Sequence, residues 1–243
     1  MQTNDPLYIR NVQMRWERVP DPGCYPWNLP FFKGFEVLEF NQPVTFFVGE
    51  NGTGKSTLLE GIAEAYGMNT EGGGRNFNFS TTSHRSPVAP ALKLVRSYRR
   101  PKTDFYLRAE SMYNVLTEYE NMAPWREPLH YLHKISHGEG FLELLKKRFG
   151  PEGFYMMDEP ESALSPQNQL TLLCHIARLV RGGSQFIIAT HSPILMAYPS
   201  ATIISLSEHG MQPIAYRDTS HYILSRRILE DPESYMAHLL RDI

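Results

Sequence analysis

The sequence predicts an α/β fold with a mostly parallel central sheet flanked by helices, and three observations predict it. Strand-length apolar runs alternate with helical repeats. The run VTFFVG (44–49) passes through a glycine-rich turn directly into KSTLLEGIAEAYG, and FYMMDE (154–159) and SQFIIATHS (184–192) are almost continuously apolar. A strand buried on both faces reads as such a run, and alternating strands and helices make neighbouring strands parallel. A chain of 243 residues is long enough to bury a sizeable core. The expectation is a single domain over 1–243, carrying a mobile insertion at about 67–100.

In chain order, FEVLEF (35–40) alternates in the manner of a half-buried strand and precedes VTFFVG. The helix that follows has its apolar spacing at Leu58, Ile62 and Ala65 and stops at Gly67. From Gly67 to about Pro90 the pattern dissolves into GMNTEGGGRNFNFSTTSHRSPVAP, whose glycines, prolines and short polar residues oppose regular structure. FYLRAESMYNVLTEYE reads as a short strand running into a helix, and GEGFLELLKKRFG as an amphipathic helix closed by Gly150. Between the two late apolar runs a helix begins with Ser165 as N-cap and Pro166 at its first position. The tail reads as a hairpin, ATIISLSEHGMQPIAY, with His209-Gly210 near its turn, then two short helices, the last entered through Asp231-Pro232.

A net charge of −2, with 42% hydrophobic and 21% charged residues, describes an ordinary soluble globular protein and predicts no general attraction to nucleic acid or anionic membrane. Locally the balance differs. Arg75, Arg85, Lys93, Arg96, Arg99, Arg100, Lys102 and Arg108 face Asp104 alone, a segment over 75–108 that would suit phosphate backbones, a protein partner or simply a solvated face. Cys24 and Cys174 match no metal spacing or disulfide framework, which fits a cytoplasmic protein. The first residues lack the pattern of a secretion leader. No run approaches the roughly 20 apolar residues of a membrane span, so no direct membrane insertion is expected.

The chemistry concentrates in three places. GENGTGKS (49–56) satisfies G-x-x-x-x-G-K-[ST] between a strand and a helix. Gly49, Gly52 and Gly54 free the backbone N–H groups of Asn51 through Lys55, Thr53 included, to converge on phosphate oxygens at a helix start. Lys55 would reach the β- and γ-phosphates, Ser56 would offer a hydroxyl to Mg²⁺, and Thr57 completes the set of nucleotide contacts. Second, Asp158 and Glu159 end an apolar strand at the sheet edge where ligands of open α/β folds bind. Asp158 would hold magnesium through its waters, and Glu159 would orient and deprotonate an attacking water. Third, His191 ends the next apolar run, where a near-neutral pKa lets it donate or accept at a γ-phosphate. A ligand-free glycine turn, an acidic turn and a structural histidine are the plain alternatives.

Together GENGTGKS, SHGEG (136–140), MMDEPESALS (156–165) and ATHS (189–192) resemble the ATP-binding-cassette (ABC) ATPases, and more narrowly the stand-alone ATPases that share features with the chromosome-maintenance and recombination branch. The resemblance spans 49–192. It implies an ABC-type P-loop fold with an N-terminal antiparallel β portion, ATP and Mg²⁺ as ligands, and catalytic roles for Lys55, Glu159 and His191. It also implies two copies closing head to tail around two ATP molecules, with Ser136, Gly138 and Glu139 of one facing the γ-phosphate held by the other. The family signature LSGGQ falls on Ile135–Glu139, where His137 replaces a glycine and Glu139 a glutamine. Ser136-x-x-Glu139 is also a capping box, and a capped helix start is compatible with phosphate contact.

The family's glutamine between P-loop and signature is absent, since no Gln occurs between Gln42 and Gln167. Glu110 occupies the corresponding place, as a metal or water ligand or as a helix-starting glutamate. Ser162 would make a contact across the dimer. Among Tyr25, Trp27, Phe31 and Phe32, core packing is the expectation for each, though one aromatic platform for adenine is usual. Three classes of function follow: a homodimeric ATPase acting on nucleic acid or a defence or repair partner, the nucleotide-binding subunit of a membrane transporter, and a slow nucleotide-gated switch. No long heptad segment is present, which argues against an embedded coiled-coil arm.

Overall fold

The computed structural model describes residues 7–70, 72–74, 85–109 and 137–241. Among them two sheets form. The strands are β1 (Ile9–Met14), β2 (Val37–Glu39), β3 (Val44–Val48), β4 (Leu92–Arg96), β5 (Thr103–Arg108), β6 (Gly153–Asp158), β7 (Gln185–Ala189), β8 (Thr202–Ser207) and β9 (Gly210–Pro213). The central sheet has the order β5-β6-β7-β3-β8-β9, parallel except for the β8–β9 hairpin. The smaller sheet, β2-β1-β4, is antiparallel.

The nearly continuous apolar runs are explained by burial on both faces. Phe46 and Phe47, Met156 and Met157, and Ile187 and Ile188 are fully buried, and successive members of each pair enter opposite cores. On one face α1 (Lys55–Tyr66) lies between the central sheet and the small one, burying Leu58, Leu59 and Ile62. On the other face pack α2 (His137–Arg148), α3 (Pro166–Arg181) and α4 (Pro193–Met196) through Phe141, Leu145, Leu172, Ile176 and Leu195. Gln185 ties the two sheets together. Its buried amide accepts from Tyr8 N at 2.7 Å and Ile9 N at 3.0 Å and donates to Ile9 O at 2.9 Å.

Helix boundaries follow their capping chemistry. Gly67, at φ 101°, closes α1, and its N–H reaches Ala63 O and Glu64 O. Ser165 Oγ accepts from Asn168 N at the start of α3, as its place before Pro166 predicts. The chain ends in α5 (Ser220–Glu230) and α6 (Pro232–Leu239).

Two strands escape the sequence reading. β1 carries a weak pattern in which Ile9, Val12 and Met14 turn inward around polar residues. β4 corrects the insertion expected to run to about 100. Leu92–Arg96 pairs with β1 in the register Val12↔Leu94, with Val88, Ala91 and Leu92 buried beneath it, because that short two-residue period finds a ready-made neighbour in β1. The helix expected over 110–120 lies outside the described residues.

Candidate active site

The site is assembled at the carboxyl ends of three adjacent strands. β7 lies between β6 and β3, so the turns after β6 (Asp158, Glu159), β7 (His191) and β3 (the 49–56 loop) open at one edge. The loop is shaped by its glycines. Gly49, Gly52 and Gly54 have φ of 150°, 79° and 92°. A Cβ on Gly54 would stand 2.5 Å from Phe31 Cε1, and one on Gly49 would stand 2.4 Å from Leu206 O. The packing of Phe31 thus requires a glycine in front of α1.

Lys55 is only 4% exposed, and its ammonium donates to Gly49 O and Glu50 O at 3.0 Å each. Burial pushes its pKa down, against the pull of Glu159 and Asp158. A cleft of about 210 Å³ opens over this loop, lined by Tyr25, Asn51, Gly52, Lys55, Ser56, Thr57 and Glu159 among others. A larger cleft of about 580 Å³ lies between β2 and the β8–β9 hairpin. It includes no residue of the 49–56 loop, and the chemistry favours the smaller one.

Ser56 Oγ donates to Asp158 Oδ1 at 3.0 Å. A hydroxyl beside a carboxylate, in the first turn of a phosphate-loop helix, is the hard-oxygen donor set that suits Mg²⁺. No cluster of three His, Cys, Asp or Glu side chains able to hold a metal occurs among the described residues. Mg²⁺ is commonly held by one or two protein oxygens together with phosphate and water, and Ser56 Oγ with Asp158 Oδ1 supplies such oxygens, so these residues fit the group. The second oxygen of Asp158 faces Arg108 Nε at 3.8 Å, and Arg108 Nη1 is bonded to Glu60 Oε2 at 3.1 Å. In the sequence Arg108 is marked only as the last cation of the basic segment. Its signal is register, because Arg108 and Asp158 are paired residues at the ends of β5 and β6.

Glu159 adopts a left-handed backbone, φ 48° and ψ 52°, held by its N–H to Ala189 O at 2.9 Å. A non-glycine residue in that region is a strained conformation of the kind found at functional sites. The turn aims Glu159 at His191, with Oε1 3.5 Å from Nε2. His191 is anchored from behind, its backbone N–H bonded to Glu161 Oε1 at 2.5 Å. Burial pushes the Glu161 carboxyl up. Burial, followed by the Lys55 charge, pushes His191 down. His191 also meets His221 of α5, a residue that no motif announced.

The other expected residues fall as follows. Gly138 lies in the first turn of α2 against its own chain, where a Cβ would be 3.0 Å from Ala163 O, so its small size serves packing at that turn. Glu139 is exposed on the same turn. Ser136 and Glu110 lie outside the described residues, and with them the capping box and the proposed glutamine substitute. Thr53 Oγ1 donates to Glu50 O within the loop, and Ser162 Oγ to Glu159 O. Trp27, Phe31 and Phe32 are core residues, but Tyr25 is corrected: it is 69% exposed and its hydroxyl lies 3.3 Å from Thr57 Oγ1 at the cleft.

The basic segment is largely consumed within the fold. Arg96 stacks over Tyr66 and donates to the carbonyls of Ala65 and Tyr66 at the end of α1. Arg99 lies over Tyr8 and 3.9 Å from Glu152, Lys102 is paired with Glu152, and Arg108 serves the site. Arg85, Lys93 and Arg100 remain as exposed cations; Arg75 lies outside the described residues.

A family described as "AAA domain" matches residues 28–102, and one described as "AAA domain, putative AbiEii toxin, Type IV TA system" matches residues 141–197. Both matches are to AAA-domain families, which makes the chain similar to AAA/ABC-type P-loop ATPases over those two segments. It is 28% identical over 198 residues to a protein of Haemophilus influenzae named "Uncharacterized ABC transporter ATP-binding protein", covering 71% of this chain and 72% of that one. Among solved structures it is similar to the SMC head domain from Thermotoga maritima, with 15% identity and a TM-score of 0.48 over 86% of this chain and 100% of that one. It is also similar to cbiO1 from Clostridium perfringens, part of the ABC transporter complex cbiONQ, with 14% identity and a TM-score of 0.49 over 97% and 99%. No helix of the described residues is long and apolar enough to cross a membrane.

Proposed function

We propose that this chain binds ATP with Mg²⁺ over the 49–56 loop and hydrolyses it to ADP and phosphate. The observation that supports the reading most is the convergence of Lys55, the Ser56–Asp158 pair and the Glu159–His191 pair at the ends of three adjacent strands. Loop amides and Lys55 would bind the phosphates, and Tyr25 would stack on the adenine. Ser56 and Asp158, with Glu110, would hold the magnesium. The ion supplies charge neutralisation at the β- and γ-phosphate oxygens. Glu159 would take a proton from the water attacking the γ-phosphorus as the bond to the bridging oxygen breaks, with His191 donating to the phosphoryl oxygens.

In this reading two cytoplasmic copies close head to tail, with Ser136, Gly138 and Glu139 of each completing the partner's phosphate site. ATP favours closure because its γ-phosphate gains contacts from both copies only then. The cycle would act on nucleic acid or on a defence or repair partner. Turnover measured with and without duplex DNA, single strands and RNA tests that coupling, and a stimulated rate is expected with one of them.

The name of the Haemophilus influenzae relative favours a second reading, a transporter's nucleotide-binding subunit. The absent glutamine weighs against it. Capture of an integral membrane protein, without nucleic-acid stimulation, would decide for it. A closed state formed by ATP with no measurable turnover would identify a slow switch instead.

A further inference from the structure

His191 Nδ1 lies 3.1 Å from Nε2 of His221, in the first turn of α5, and the two rings meet edge to face with centroids 5.2 Å apart. On its other side, His191 Nε2 lies 3.5 Å from Glu159 Oε1. Glu159, His191 and His221 therefore form one line from the acidic turn to the C-terminal helices. Neither His191 Nε2 nor His221 Nδ1 has a hydrogen-bond partner among the described residues, so the contact between the rings is the one hydrogen bond these two imidazoles make.

We infer that His221 is a positioning residue that holds His191 in the tautomer with its proton on Nε2. The reasoning is a proton count. Two neutral imidazoles joined nitrogen to nitrogen share one N–H, which belongs either to His191 Nδ1 or to His221 Nε2. If His191 held it, its Nε2 would turn a lone pair toward the Glu159 carboxylate, acceptor against acceptor. If His221 holds it, His191 Nε2 keeps its proton and turns the N–H toward that carboxylate, an electrostatic attraction at 3.5 Å rather than a hydrogen bond. Only the second arrangement of the neutral rings satisfies both contacts. A charged His191 would satisfy them too, but burial and the Lys55 ammonium disfavour that charge near neutral pH.

The consequence rests on the reading of this edge as an ATP site. A neutral N–H at Nε2 can donate to a phosphoryl oxygen, whereas the other tautomer would oppose it with a lone pair. His221 is thus what makes a lone histidine into a dependable donor, and it makes the placement of α5 part of the site.

The test reads the imidazole tautomer directly, by two-bond ¹H–¹⁵N correlation spectra of the nucleotide-free, full-length chain near pH 7.5. His191 is assigned with His191→Asn. The expected result is the Nε2–H pattern in the wild type, a mixture of tautomers in His221→Phe, and recovery of Nε2–H in His221→Gln, whose amide can donate from the same place. ATP turnover should follow, with kcat lowered about fivefold in His221→Phe, the worth of one neutral hydrogen bond, KM unchanged, and kcat restored in His221→Gln. An Nδ1–H pattern in the wild type, or a His191 signal indifferent to His221→Phe, overturns the inference. The wild-type spectrum decides even if His221→Phe does not fold. Because it is taken without nucleotide, failure to bind ATP would sink the proposed function and leave this inference standing.

Discussion

Ser56 Oγ and Asp158 Oδ1 lie 3.0 Å apart although 102 residues separate them. The first residue belongs to the helix after β3 and the second ends β6, two strands held at a fixed spacing by β7 between them. The sheet, and no local motif, therefore sets the distance between the two side chains proposed to hold magnesium.

Asp158→Ala should raise the Mg²⁺ concentration needed for half-maximal turnover by about 10–100-fold, the usual effect of losing a residue that orients a bound ion through its shell. Titration of ATP hydrolysis against Mg²⁺ measures it. Arg108→Gln should shift the same curve in the same direction by less, since Arg108 touches only the second carboxylate oxygen and at 3.8 Å. Equal curves for wild type and Asp158→Ala would remove Asp158 from the metal site.

The glycines of the loop should separate by mechanism. Gly54→Ala suffers both a left-handed φ of 92° and a collision with Phe31, whereas Gly52→Ala has no neighbour within 4 Å and meets only the backbone cost of φ 79°. The backbone term alone is about 1–2 kcal/mol. Urea denaturation should therefore show Gly54→Ala destabilised more than Gly52→Ala. The reverse order would contradict the packing argument.

How much of this was legible beforehand varies by residue. The 49–56 loop was readable because its chemistry is contiguous, and the positions of Asp158, Glu159 and His191 because each ends an apolar run of strand length, which the structure makes β6 and β7. Arg108 was misjudged because a charge count averages along the chain, whereas its role comes from its pairing with Asp158 across two strands. Nor do the exposed cations follow from the sum: Arg96 and Arg99 are spent on Tyr66, Tyr8 and Glu152, contacts that only the fold creates. β1 and β4 stayed hidden because each pattern is short and becomes informative only when the two pair. His221 sits 30 residues beyond His191 in an amphipathic helix, with nothing local to mark it.

For nucleic acid, the informative variant follows from that distinction. Arg85, Lys93 and Arg100 replaced together by Ser should weaken binding and flatten its dependence on salt, by about one unit of logarithmic slope for each lost phosphate contact. Stability should hardly change. Fluorescence anisotropy at several salt concentrations gives the slope, and wild-type protein that binds neither DNA nor RNA eliminates the idea.

Acidification should destabilise the fold in a window set by its histidines. His175, His191 and His221 are all held below their ordinary 6.5, first by burial. As pH falls through 6.5 the unfolded chain takes up protons before the native one does, so stability is fully present above that value and declines below it. Glu161, raised by burial above its ordinary 4.5, acts with the opposite sign in the window just above 4.5. Thermal melts between pH 8 and pH 5.5 should show a falling midpoint, less steeply in the His191→Asn/His221→Gln double variant. A midpoint independent of pH would refute the assignment of these rings as partly buried groups held below their ordinary value.

Glu159→Gln should lower turnover by about 10²–10⁴-fold, the range for a positioned base, while leaving ATP binding intact. With hydrolysis blocked, the closed dimer should accumulate in ATP and Mg²⁺ and be visible by light scattering. A population that stays monomeric in saturating ATP would contradict closure.

The measurement that bears most directly on the central claim compares ATP binding and turnover in the wild type and in Lys55→Ala. Lys55 is buried beneath the loop, with its ammonium on the carbonyls of Gly49 and Glu50. Magnesium-dependent release of phosphate by the wild type, lost in Lys55→Ala while the melting curve stays cooperative, is the predicted result. Turnover that survives the loss of Lys55 would mean that the catalytic site lies elsewhere.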